Sequence, residues 1–145
     1  MIYDKFIHIG SDHFDKYRFV PIKNDRDWVK PRGGLWSSPE NSPYGWESWV
    51  NDNNFTYDLN SWFRFTLKAG AKVLEITNAK QLKDLPKKET NLPHSWVVLD
   101  FEAIAREYDA MLVMISSDNQ LYWDLYGWDC DTLLVFNPDI IEEVE

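Results

Sequence analysis

An α+β domain is the fold class that the sequence predicts, and three observations lead to it. Apolar runs of strand length occur at Phe6-Ile7-His8-Ile9, at Ala110-Met111-Leu112-Val113-Met114-Ile115 and at Thr132-Leu133-Leu134-Val135-Phe136. Stretches with helical spacing lie between them, around Trp46, Trp49 and Val50 and over Phe101 to Tyr108. Their order is irregular, without the strand–helix alternation of a doubly wound sheet. The reading is six or seven short strands with three or four short helices.

The elements follow in order. Phe6 to Gly10 is a buried strand ending in a turn, and His13 to Tyr17 is a short helical turn. Pro21 to Arg32 is polar and proline-punctuated, hence a loop. Gly33-Gly34 leads into a strand through Ser38 that turns at Pro39, and Glu40 to Gly45 is loop again. The helix at Trp46 ends over Asn51 to Asn54. Trp62 to Leu67 and Lys72 to Ile76 are strands on either side of the turn Lys68-Ala69-Gly70-Ala71, so they are expected to form a hairpin. Thr77 or Asn78 caps a short helix that Pro86 stops, and Asp100 caps the next. Leu121 to Tyr126 reads as a further strand. Asn137-Pro138 closes the last one.

The chain has 145 residues and no linker or repeat, which suits one domain over residues 1–145. Apolar residues make up 44% and aromatics 16%, with eight Trp, a composition opposed to disorder. Most of these Trp are expected to fill the core, and some to stack on a flat ligand ring. The formal charge of −9 disfavours sequence-independent nucleic-acid binding, which needs Lys and Arg against phosphates. The acidic residues are scattered, apart from the cluster Glu142-Glu143-Val144-Glu145. The single cysteine, Cys130, excludes an intrachain disulfide and suits a reducing, cytoplasmic setting. No apolar run approaches the ~18 residues of a membrane span. His8, His13, His94 and Cys130 match no zinc spacing.

Three stretches carry chemistry. His8 lies on an otherwise apolar strand, where it must find a partner or face a cavity, and Gly10 and Ser11 follow it. Either it is a satisfied structural histidine or it donates to a ligand hydroxyl or amide. In the second stretch, Lys30 to Ser38, the glycine pair lets a backbone approach closely. Trp36 offers a stacking face, Ser37 and Ser38 offer hydroxyls, and Lys30 and Arg32 offer positive charge for a pyrophosphate. A tight hairpin entry with one core Trp is the plain alternative. In the third, Gly127 to Thr132, Asp129 and Asp131 point the same way if the segment is extended. A carboxylate there can bind a ribose hydroxyl or stabilise an oxocarbenium-like state. A solvated turn is the alternative.

Together these stretches resemble the ADP-ribosyltransferase superfamily, in its poly-ADP-ribose-polymerase-like and bacterial-toxin-like branches. Ile7-His8-Ile9-Gly10-Ser11 is similar to the first-strand motif, with one residue inserted. Gly33-Gly34-Leu35-Trp36-Ser37-Ser38 resembles the glycine-led strand against the nicotinamide, with Trp36 where a Tyr is usual. Asp129-Cys130-Asp131 precedes the last core strand, where the family has its catalytic Glu. Here that residue is Asp131, or Thr132 if the register shifts by one. The resemblance implies a split antiparallel sheet with short peripheral helices, and NAD as substrate. It implies Asp131 and His8 as catalytic residues. Contacts to NAD would come from His8, Gly10, Ser11, Arg32, Gly34, Trp36 and Ser37.

Three functions are then open. The first is an NAD-dependent mono-ADP-ribosyltransferase of bacterial or phage type, its acceptor unspecified. The second, which the missing Glu favours, is a non-catalytic module of the same fold that binds a nucleotide-like ligand or a protein partner. The third is an acidic inhibitor seated in a basic groove, whose affinity would fall with salt. Cys130, between two Asp, is a poor nucleophile.

Overall fold

The computed structural model describes residues 1–53 and 59–144. Asn54, the last residue of the expected helix end, and Glu145, the last of the acidic cluster, lie outside the described residues. Seven strands form one sheet: β1 (Phe6–Ile9), β2 (Leu35–Pro39), β3 (Trp62–Leu67), β4 (Val73–Ile76), β5 (Ala110–Val113), β6 (Thr132–Val135) and β7 (Ile141–Val144). Their spatial order is β4-β5-β6-β2-β1-β3-β7. Three α-helices accompany them: α1 (Trp46–Asp52), α2 (Phe101–Glu107) and α3 (Asn119–Asp124). The α+β class stands.

Period-two alternation divides the apolar runs between two cores. Met111 and Val113 of β5 and Leu134 of β6 join Phe101, Ile104, Leu121, Leu125 and Trp128 on the helical side. Ala110 and Leu112, with Leu133 and Val135, face Phe6, Phe63 and Phe65 on the other. Every residue of β5 and β6 is buried, which is why both read as unbroken apolar runs.

The caps fall where the sequence puts them. Asp100 accepts from Ala103 N at 3.0 Å and starts α2. Asn78 and Gln81 make a reciprocal capping box on a 3-10 helix over Ala79–Asp84.

Four expectations change. Strands β3 and β4 are not a hairpin, since they lie near opposite ends of the sheet. The turn exists, with Ala71 N on Lys68 O at 3.2 Å. However, both edges of β3 are taken, one by β1 and one by β7. Strand β4 instead pairs with β5, held at its start by Asp109, which receives Lys72 N at 2.8 Å. That pairing is parallel, so the sheet is mixed and not antiparallel throughout. Residues Leu121 to Tyr126 lie mostly in α3 rather than a strand. Asp118 caps this helix, and Leu121 and Leu125, four apart, are buried while Trp123 between them is 68% exposed. Finally, the acidic end forms β7 on β3, with Ile141 turned inward and Glu142 and Glu143 exposed.

Candidate functional site

The sheet parts at β2. Over Leu35–Ser37 this strand pairs with β6, and over Ser38–Pro39 with β1. The β1 register would place His8 opposite Ser37, but the ladder stops at Ile7 and Ser38. Beyond that point the gap is bridged by a side chain. His8 Nδ1 donates to Trp36 O at 2.7 Å, since a carbonyl can only accept. A cleft of about 430 Å³ opens there, within the range of small-ligand sites.

Nδ1 thus carries the proton, and burial lowers the pKa of His8, an effect the Trp36 carbonyl only partly offsets. The ring is therefore neutral at pH 7, and Nε2 is left as an acceptor. The Trp36 carbonyl supplies the partner that a structural histidine needs, and the nitrogen left for a ligand is an acceptor suited to a hydroxyl, not the donor that was the alternative. Phe63 steadies the other side of the ring, with centroids 5.1 Å apart.

Trp36 supplies an aromatic wall. Its indole N–H is committed to Gly33 O at 3.1 Å, so the ring offers a face and no donor. It tilts against Trp128 at 5.1 Å, and Trp128, almost fully buried, stacks on Phe101. Trp46, from the first turn of α1, lines the cleft as well. Ser37 is a lining residue whose hydroxyl donates to Leu133 O at 2.8 Å.

The two carboxylates of the third stretch separate. Gly127 has φ +88°, and the chain bends at Cys130 before β6 begins, so the segment is not extended. Asp129 lines the cleft, and Asp131 does not. Asp131 is fully buried, and its carboxylate accepts Ser116 N at 2.8 Å, Ser116 Oγ at 2.7 Å and Tyr44 N at 3.1 Å. Its backbone continues the tie: Asp131 N donates to Tyr44 O at 2.8 Å, and Asp131 O accepts Ser38 Oγ at 2.8 Å. Asp131 thus joins the loop before α1 to the segment after β5. Thr132, the alternative occupant of the acid's position, lines the cleft and donates to Cys130 O at 3.0 Å. Burial pushes the Cys130 thiol up to about 11.

The structure therefore gathers His8, Gly10, Trp36 and Ser37 in one cleft. Ser11 and Gly34 lie in a neighbouring depression of about 450 Å³ that shares Trp36. Gly34 has a packing role: at φ +73°, a Cβ there would stand 2.7 Å from Leu134 Cδ1. Arg32 is in neither space and turns out to Asp25, Nε to Oδ2 at 3.1 Å. Lys30, its partner in the sequence motif, turns inward and lines the cleft. The sequence offered Asp129 beside Asp131 as a candidate carboxylate but gave the acid's role to Asp131, and it did not place Trp46 or Trp128 in the site. Only the Gly127 to Thr132 motif signalled Trp128, and nothing local signalled Trp46.

Three indoles, a neutral imidazole acceptor, one carboxylate and one amine suit a planar ligand that carries hydroxyl and charged groups. Among the described residues, no group of three or more His, Cys, Asp or Glu is placed to hold a metal ion. No helix among them is long and apolar enough to cross a membrane. Neither family models, nor curated proteins, nor solved structures yield a match to this chain.

Proposed function

We propose that this chain is a non-catalytic binding module on an ADP-ribosyltransferase-like framework, with a cleft that takes a nucleotide-like ligand of the NAD class. One observation carries the reading. The parting of β1 from β2 brings His8 and Trp36 to one cleft, while the carboxylate of Asp131 is consumed by Ser116 and Tyr44. In this reading the flat base lies against the indole walls, and a ribose hydroxyl donates to His8 Nε2. A buried carboxylate with three donors already on it has little left for a sugar cation.

A second reading retains transfer chemistry and rests on Asp129, the carboxylate that does line the cleft. A fixed negative charge beside a ribosyl ring would lower the energy of its oxocarbenium-like state. Calorimetric titration with NAD, alongside the His8→Ala and Trp36→Ala variants, tests both. Binding lost in both variants, with no nicotinamide released on long incubation, is the expected result. Nicotinamide release abolished by Asp129→Asn would establish the second reading instead. Absence of binding to NAD and to its two constituent mononucleotides would overturn both and turn attention to a basic protein partner.

A further inference from the structure

Lys30 is an amine that lines the cleft from a loop bonded to itself. The loop is closed by a reciprocal backbone pair, Lys23 N to Arg32 O at 3.0 Å and Arg32 N to Lys23 O at 2.8 Å. Within it Asp25 accepts both Asp27 N and Arg32 Nε. Val29 and Pro31, on either side of Lys30, are both buried, so the lysine backbone is anchored from two sides. Gly127 makes room for this anchor: a Cβ there would come within 3.0 Å of Val29 Cγ2. The lysine Nζ lies 5.7 Å from the centre of the Trp36 ring. Among the described residues no carboxylate is within ion-pair distance of it.

An amine in this setting differs from a surface lysine. Burial lowers the pKa of Lys30 against the opposing pull of Asp129 and Cys130, so a larger share is unprotonated at a given pH. Desolvated lysines in apolar pockets are nucleophiles toward carbonyl carbon. The other charged or titratable groups lining this space are His8, Asp129 and Cys130.

We infer that Lys30 is a carbonyl-capturing amine, and that this cleft takes aromatic aldehydes and holds them as a reversible imine. The inference does not rest on the nucleotide reading and stands whether or not NAD binds. The neutral amine attacks the aldehyde carbon, forming a C–N bond as the C=O π pair moves to oxygen. One proton passes from nitrogen to that oxygen, giving a carbinolamine. The C–O bond then breaks, nitrogen gives up its remaining proton, and one water leaves. No oxidant or reductant takes part. Asp129 is the one carboxylate that lines the same cleft, and the proton passes from nitrogen to the departing oxygen through it or through solvent. The aldehyde's ring packs among the indoles.

Lys88 is an internal control. Burial also lowers its pKa, but its electrostatic neighbours are four carboxylates, those of Asp25, Asp100, Glu102 and Asp27. The test incubates the full chain with 2-hydroxybenzaldehyde and cyanoborohydride, which reduces any imine to a stable secondary amine, and maps the adducts by peptide mass. Of the ten lysines, Lys30 is expected to label at least roughly tenfold faster than any other, Lys88 included. Urea should erase that preference. Lys30→Arg, which keeps the charge and removes the nucleophile, should lose the fast adduct while the other lysines label as before. Labelling of Lys30 at or below the rate of the exposed lysines in the folded chain would overturn the inference. So would a preference that survives in urea.

Discussion

Replacing Asp131 with Ala separates a structural carboxylate from a catalytic one. The side chain is fully buried and receives three donors, from Ser116 N, Ser116 Oγ and Tyr44 N, at 2.7–3.1 Å. A hydrogen bond to a charged group contributes roughly 1.5–3 kcal/mol, and an orphaned buried donor costs ~1–3 kcal/mol. Ser116 is solvent-exposed as a residue, so water can re-pair part of what it loses. Tyr44 N is less accessible. Weighing one buried donor fully and two partly gives a loss of about 3 kcal/mol for Asp131→Ala. In a chain of this size that lowers Tm by roughly 10 °C. Asp131→Asn keeps one acceptor oxygen but turns an NH2 toward a donor, and about 2 kcal/mol is expected. Urea unfolding with an unchanged m-value, beside a ligand titration at a temperature where the variants stay folded, is the assay. Destabilisation with ligand affinity retained supports the account. A variant of unaltered stability that has lost ligand binding or turnover would refute it and restore Asp131 to the chemistry.

Other outcomes follow from single contacts. Gly34→Ala forces a side chain into φ +73° and sets its Cβ 2.7 Å from Leu134 Cδ1 and 3.0 Å from Val135 O, so a loss of about 2–4 kcal/mol is expected in urea unfolding. A neutral effect would mean that β2 and β6 yield easily at the cleft's root. Cys130 has its thiol pKa raised to about 11, so on the order of one molecule in a thousand carries a thiolate at pH 8. Reaction with an aromatic disulfide should be slow in the folded chain and fast in urea, and equal rates would contradict the burial. His8 has a folded pKa below the ~6.5 of an unfolded His. The unfolded chain therefore takes up the proton first, and stability falls as pH drops below ~6.5 until the folded pKa is passed. His13 runs the other way: Glu143 raises its pKa, so its contribution is present in acid and lost as pH rises through the folded value. Unfolding midpoints between pH 5 and 8 should show a smaller acid loss in His8→Gln than in the wild type. An identical loss would place the acid sensitivity on other groups.

What the sequence made legible was local. The apolar runs of β5 and β6 and the caps at Asp100 and Asn78 report their own surroundings; the caps form as read, and both strands form but end early, β5 at Val113 with Ile115 in a 3-10 turn and β6 at Val135. The misreadings came where a distant partner decides. Strand β4 turns away from β3 because both edges of β3 belong to β1 and β7, one of which lies more than seventy positions along the chain. Leu121, Trp123 and Leu125 alternate like a strand, yet Leu121 and Leu125 are also four apart, and only packing settles which period counts. The site divides in the same way. His8 and Trp36 were visible as an odd histidine and a glycine-led aromatic, and the structure joins them at 2.7 Å. That Asp129 faces the cleft and Asp131 does not depends on the bend at Cys130, which two aspartates one residue apart do not reveal. The inward turn of Lys30 and outward turn of Arg32 follow from the buried Val29 and Pro31 and from Asp25, none of which marks itself in the motif.

The most direct test of the cleft as a nucleotide site is the set of indole N–H resonances of the eight Trp, followed by 15N NMR during titration with NAD. Binding between β1 and β2 should shift the signals of Trp36, Trp46 and Trp128 in step, with one dissociation constant, and leave those of Trp96 and Trp123 in place. Shifts confined to Trp96 and Trp123, or no shift at millimolar NAD, would contradict the account.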